Sequence, residues 1–106
     1  MPSKVVKSRV KTKLPLKTGY TEQFQKDWQE LQHSGKCNME RLKGIMLKLI
    51  ANDGPLDAVH LEHKLLGSWA DFLECHMSGD VLLIYDRSAT KIVFTRAGSH
   101  AKIFEN

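Results

Sequence analysis

Between Phe24 and Ile50 the apolar residues recur at helical spacing. Phe24, Trp28 and Leu31 fall at i, i+4 and i+7, one face of a helix. Thr21 ahead of them is a good N-cap, Glu22 suits the first turn, and Ser34-Gly35 is a stop. Asn38 caps a second helix whose Leu42, Ile45, Met46, Leu49 and Ile50 make a wide apolar stripe, ended by Asn52-Asp53-Gly54-Pro55. The short link predicts an antiparallel helical hairpin with both stripes facing a core. After Pro55 the period changes. Leu56 to Ser68 reads as an irregular segment holding His60, His63 and a Gly67-Ser68 turn. Trp69 to Met77 alternates as a strand, with Phe72, Glu74 and His76 on one face and Leu73, Cys75 and Met77 on the other. Ser78-Gly79-Asp80 is a turn, Val81 to Tyr85 a central strand, Asp86 to Thr90 a second turn, and Lys91 to Arg96 the last strand of an antiparallel meander. Ahead of the helices, Arg9 to Leu16 alternates loosely and predicts a strand that Pro15 confines to an edge or to its end. The expected architecture is α+β: an N-terminal strand and a helical hairpin packed on an antiparallel β-sheet.

Composition narrows the class. A chain of 106 residues predicts one domain, 1–106, with a single modest core. Its 42% hydrophobic and 26% charged content is that of a folded soluble protein, and no stretch approaches the roughly 20 apolar residues of a membrane span. The N-terminus is basic but has no apolar block behind it, so it does not read as a secretory signal. Cys37 and Cys75 lack metal-type spacing and are too few for a disulfide scaffold, which predicts reduced thiols and a cytoplasmic protein.

The charge is unevenly spread. Six of the 16 basic residues (Lys4, Lys7, Arg9, Lys11, Lys13, Lys17) and none of the 12 acidic ones fall in the first 20 positions, so the rest of the chain is formally −2. Residues 1–8 read as a loose basic extension. An arm of this kind attracts polyanions, nucleic acid first among them, or serves as a solubilising leader.

Polar residues converge at one edge of the expected sheet. Glu74 and His76 share a strand face, Asp80 sits in the turn after it, Arg96 leaves the last strand, and His63 lies upstream. Gly98-Ser99 permits a bend that returns His100 and Phe104 over the sheet near Arg96. Each alone has a structural explanation: a bonded histidine, a turn aspartate, a surface arginine, an aromatic covering the core. Together they admit three readings. One is phosphodiester chemistry, with histidines moving protons, an arginine on phosphate and an aromatic on a base. The second is a zinc hydrolase using ligands among His60, His63, Cys75, His76, Asp80 and His100, although no His-Glu-x-x-His or paired Cys-x-x-Cys motif supports it. The third is a non-catalytic nucleic-acid-binding module.

The segments His63-Lys-Leu-Leu-Gly-Ser-Trp69, Glu74-Cys-His76, Asp80, Leu82-Leu-Ile-Tyr85 and Arg96-Ala-Gly-Ser-His100-Ala-Lys-Ile-Phe104 resemble the YafQ branch of the RelE-type bacterial toxins, over about Tyr20 to Phe104. The resemblance implies the toxin of a type II toxin–antitoxin system. Such a toxin is a ribosome-dependent mRNA endonuclease that works without metal or other cofactor and blocks translation and growth. The implied partners are ribosome and mRNA, a cognate antitoxin of DinJ or RelB type, and operator DNA only through that antitoxin. His63, His76, Asp80 and His100 match the family's catalytic positions, with Arg96 and Phe104 on the substrate side. Glu74, also on the substrate side, is expected with Asp80 to orient or charge-tune an imidazole. Histidine, with an ordinary pKa near 6.5, can take the 2′-hydroxyl proton or protonate the 5′-oxygen. The chain departs from the pattern at Trp69-Ala-Asp-Phe-Leu73, where a lysine and an arginine are missing, and at Val81, where an aromatic is common. Fewer local phosphate contacts are expected there.

Overall fold

Both long helices begin and end where their capping residues dictate. Structurally, the protein is represented by a computed structural model that describes residues 14–77 and 79–104. Strand β1 (Lys17–Tyr20) leads into α1 (Glu22–Ser34) and α2 (Met39–Ala51). Thr21 accepts the Phe24 amide and Asn38 the Arg41 amide, each satisfying a donor the first turn leaves open. Gly35 closes α1 at φ 70°, where a side chain would be strained, and Asn52 closes α2 at φ 58°. Strands β2 (His63–Lys64), β3 (Leu73–His76), β4 (Val81–Arg87) and β5 (Lys91–Ser99) follow, then the short helix α3 (His100–Phe104).

The sheet order is β1-β5-β4-β3-β2. β1 runs parallel to β5, and the other neighbours are antiparallel. Each face carries its own apolar cluster. Phe24, Leu42, Ile45, Met46 and Leu49 of the hairpin bury against Cys75, Leu83, Tyr85, Ile92 and Phe94 of the sheet. On the opposite face Leu82, Ile84 and Ile103 are buried with Leu65, Trp69, Phe72 and Phe104 around them. Burying a side chain such as Leu or Phe stabilises by about 1.5–3 kcal/mol, so the larger cluster holds the hairpin down and the smaller one holds α3. The split follows the alternation along β3: Leu73 and Cys75 join the hairpin side and Phe72 the other.

Four expectations change. Of the Arg9–Leu16 strand, residues 9–13 lie outside the described residues, and 14–16 are not extended pairing partners. The leading strand is Lys17–Tyr20 instead, and it makes the sheet mixed rather than purely antiparallel. The strand expected from Trp69 begins only at Leu73, because Gly67–Trp69 forms a 3-10 turn. The last strand continues past Arg96 to Ser99, with Gly98 inside it, so the chain reverses at the start of α3 rather than at Gly98. Of the basic leader only Lys17 is described, exposed on β1. Among the described residues no helix is long and apolar enough to cross a membrane.

Candidate active site

Strand pairing brings the first three polar residues together. His63 is the Cα partner of Glu74 across β2 and β3, and same-face partners in such a pair stand with Cβ atoms about 4.5–5.5 Å apart. His76 follows Glu74 by two residues, hence on the same face. The result is one carboxylate oxygen, Glu74 Oε2, with His76 Nε2 at 3.1 Å and His63 Nε2 at 3.4 Å. The two imidazole rings tilt toward each other with centroids 6.0 Å apart. Glu74 is only 4% exposed, while His76 is half-buried and His63 open to solvent. A buried carboxylate is costly unless partnered, and here both partners are groups able to carry its counter-charge.

Backbone carbonyls orient the rings. Nδ1 of His63 lies 2.7 Å from the Leu61 carbonyl, which can only accept, so that nitrogen donates and Nε2 is left to face Glu74. Leu61 itself sits at φ 50°, an uncommon left-handed setting for a bulky residue that turns this carbonyl under His63. His60 donates from Nδ1 to the His76 carbonyl at 2.9 Å, tying the loop before β2 to the end of β3.

The tail forms the opposite wall. His76 pairs with Leu82, and Leu82 with Gly98, so His76 and Gly98 stand two strands apart, roughly 10 Å at the usual strand spacing. His100 opens α3 two residues further on, exposed, its ring centroid 4.9 Å from that of Phe104. A strip floored by Leu82 therefore runs between His76 and the start of α3. Phe104 is half-buried and meets Trp69 edge-on at 5.8 Å, as Trp69 meets Phe72 at 5.3 Å. It belongs to the smaller cluster at least as much as to any binding surface. Asp80 is exposed in the β3–β4 turn and lines a cleft of about 550 Å³ with Ser99, Lys102 and residues of α1.

Arg96 is not brought to this group. Its Nε and Nη2 lie 2.8 and 3.2 Å from the two oxygens of Asp27 on α1, whose side chain is fully buried. The guanidinium expected on a phosphate is thus engaged on the hairpin side of the sheet. Arg96 follows Ile92 and Phe94, both in the hairpin-side cluster, at period two and so shares their face. A bulge sits at the same place, since Ile84 pairs with Arg96 but Tyr85 with Phe94, and Thr95 is an extra residue. Asp27 itself went unnoticed in the sequence, although it stands at i+3 from Phe24 inside the α1 apolar stripe. A charged residue on such a stripe marks a buried ion pair.

His63, Glu74 and His76 also offer three ligand atoms all within 4.8 Å of one another, a nitrogen–oxygen donor set suited to a zinc- or copper-like ion. Among the described residues the other ligands considered do not join this group. Cys75 is buried on the hairpin face, where burial and then the nearby Glu62 push its thiol up to about 12, far from the thiolate a metal requires. His60 is turned to a backbone carbonyl.

The family described as bacterial toxin of type II toxin–antitoxin system, YafQ, matches residues 16–105. The mRNA interferase toxin YafQ of Escherichia coli is 39% identical over 85 residues, covering 80% of this chain and 91% of the relative. The crystal structure of Escherichia coli YafQ superposes with a TM-score of 0.80 at 36% identity, covering 84% of this chain and 98% of that one. The Escherichia coli DinJ–YafQ toxin–antitoxin complex gives a TM-score of 0.79 at 36% identity, with 86% and 99% covered. With the family matched over nearly all the described residues and the same fold found in its solved members, this chain belongs to the YafQ family of type II toxin–antitoxin toxins.

Proposed function

We propose that this protein is an mRNA interferase that cleaves messenger RNA on the ribosome by metal-independent general acid–base chemistry. The observation that carries the reading is the pair of imidazoles on one buried carboxylate, with a third imidazole, His100, at the start of the helix that follows the strand two places away in the sheet. Cleavage by 2′-hydroxyl attack needs a base for that hydroxyl, charge stabilisation at the pentavalent phosphorus and an acid for the 5′-oxygen. His63, His76 and His100 supply the proton-transfer groups, since imidazole exchanges protons near neutral pH. Glu74 holds two of them in orientation. Asp80 stands at the same end of the sheet as His76 and tunes the local charge. Arg96, engaged by Asp27 on the hairpin side, is not assigned to the phosphate. Phe104 offers its free edge to a base.

The partners follow from the family. YafQ is found in a complex with DinJ, and a DinJ-like antitoxin is the proposed inhibitor here, bringing operator DNA to the complex. The proposed compartment is the bacterial cytoplasm, where ribosome and mRNA are met. The test is cleavage of ribosome-bound mRNA by purified wild-type, His76→Ala and His100→Ala proteins, with mRNA without ribosomes as the control. Equal cleavage by all three proteins would sink the acid–base assignment.

A metal-dependent reading has one observation in its favour, the convergence of His63, Glu74 and His76. Pre-incubation with a chelator selective for transition metals, which spares the ribosome's magnesium, separates the two. Under the proposed mechanism activity is unchanged.

A further inference from the structure

We propose that Asp27 is a positioning residue: through Arg96 and the Ala97 amide it fixes the strand end that launches α3, and thereby sets where His100 stands. The inference rests on the reading of His100 as a proton-transfer group.

Asp27 is 1% exposed, and its two oxygens take four donors. Arg96 gives Nε at 2.8 Å and Nη2 at 3.2 Å, the Ala97 amide comes in at 3.0 Å, and Gln23 Nε2 at 3.1 Å. That is about the full acceptor capacity of a carboxylate, and a bidentate arginine contact fixes direction as well as distance. The neighbouring residue is held by the same helix, because the Thr21 hydroxyl donates to the Thr95 carbonyl at 2.8 Å. Helix α1 therefore grips three consecutive residues, Thr95, Arg96 and Ala97, at the bulge in β5.

Only Gly98 and Ser99 separate this grip from His100. Both remain in the ladder, paired with Leu82 and Val81, and α3 follows without a linker. Ile103 of α3 returns against Gly98, its side chain 3.8 Å from where a Cβ would stand. A displacement at Ala97 has no slack in which to dissipate before it reaches the imidazole. Bulges commonly re-aim side chains beside active sites, and this one carries a buried charge pair that locks its setting.

The rival role for Arg96 is direct phosphate binding, and the two make opposite predictions for Asp27→Asn. Freeing a phosphate ligand preserves or raises activity. Loosening a clamp lowers kcat and leaves KM nearly alone, because misplacing a catalytic group by about 1 Å can cost 10²-fold in rate.

The experiment pairs steady-state cleavage of ribosome-bound mRNA with NMR of the histidine ring signals and the backbone amides. Expected for Asp27→Asn is a wild-type circular dichroism spectrum, displaced amides from Ala97 to Ala101 and a displaced His100 ring signal. The His63 and His76 signals stay in place, and kcat falls about 10- to 100-fold at nearly constant KM. A folded variant with an unmoved His100 signal, or with kcat retained, overturns the proposal. Should Asp27→Asn fail to fold, Arg96→Lys replaces it, keeping the charge but losing the planar fork. Displacement of the His100 signal at constant KM supports the clamp; a raised KM with that signal unmoved assigns Arg96 to phosphate instead. If wild-type protein cleaves no mRNA the enzymatic reading fails by itself, and the NMR comparison still decides whether Asp27 positions His100.

Discussion

His100→Ala is the substitution that separates catalysis from packing most sharply. The residue is the first of α3, exposed, and among the described residues its aromatic contact is the Phe104 ring at 4.9 Å. An aromatic pair contributes about 0.5–1.5 kcal/mol beyond its area, and alanine returns several tenths as the better helix former. The net loss is therefore about 1 kcal/mol or less, against the roughly 5–15 kcal/mol of a domain this size. The variant should stay folded, with a melting temperature lowered by only a few degrees. Removing a proton-transfer residue typically lowers the rate 10²- to 10⁴-fold, equivalent to about 3–5 kcal/mol of barrier. The two effects differ severalfold, so thermal melting beside growth arrest on induction and beside ribosome-dependent cleavage distinguishes them. A folded His100→Ala protein that arrests growth as wild type does removes this histidine from the mechanism. Phe104→Ala is a poorer probe, since Phe104 packs on Trp69 in the smaller cluster and its loss takes stability with it.

Glu74→Gln should leave both imidazoles without a counter-charge while preserving shape, reducing cleavage at least tenfold; measured activity within twofold of wild type would refute the orienting role. Replacing Lys4, Lys7, Lys11 and Lys13 by Gln should weaken ribosome association and flatten its salt dependence with little change in melting temperature; an unaltered salt slope would make the leader a solubiliser only. Cys75, pushed up to about 12 mainly by burial, should resist a thiol reagent at pH 8 until the protein unfolds, whereas half-buried Cys37 reacts in the native state; simultaneous labelling of both contradicts the described core. Because that folded value lies above the ordinary 9.0, the stabilisation is fully present below pH 9 and is lost as pH rises toward 12. Tyr85, also raised by burial, acts in the same direction. The denaturation midpoint should accordingly fall across that range.

The helical hairpin was legible because its stripes repeat at helical spacing and its ends carry Thr21, Gly35, Asn38 and Asn52, each now seen capping. The meander was legible from its alternation, which also placed Glu74 and His76 on one face. Three features were not. The parallel pairing of β1 with β5 depends on where the hairpin returns the chain, and no local pattern encodes it. The Gly67-Ser68 turn was legible, but not its continuation as a 3-10 turn through Trp69, because Trp69 and Phe72 are the bulky apolar residues of a strand. Arg96 was misplaced for a more instructive reason. Period-two alternation through Ile92 and Phe94, both in the hairpin-side cluster, already puts Arg96 on the hairpin face, where Asp27 takes its guanidinium. Reading Arg96 simply as leaving the strand toward the site overlooked that. The acid inside the α1 stripe was the second clue.

The chemistry of the cut ends tests the central claim most directly. If imidazoles deprotonate the 2′-hydroxyl and protonate the 5′-oxygen, ribosome-bound mRNA treated with the purified protein must yield a 2′,3′-cyclic phosphate or 3′-phosphate on one fragment and a free 5′-hydroxyl on the other, with and without a transition-metal chelator. Fragments ending in 3′-hydroxyl and 5′-phosphate, or cleavage abolished by the chelator, would contradict it.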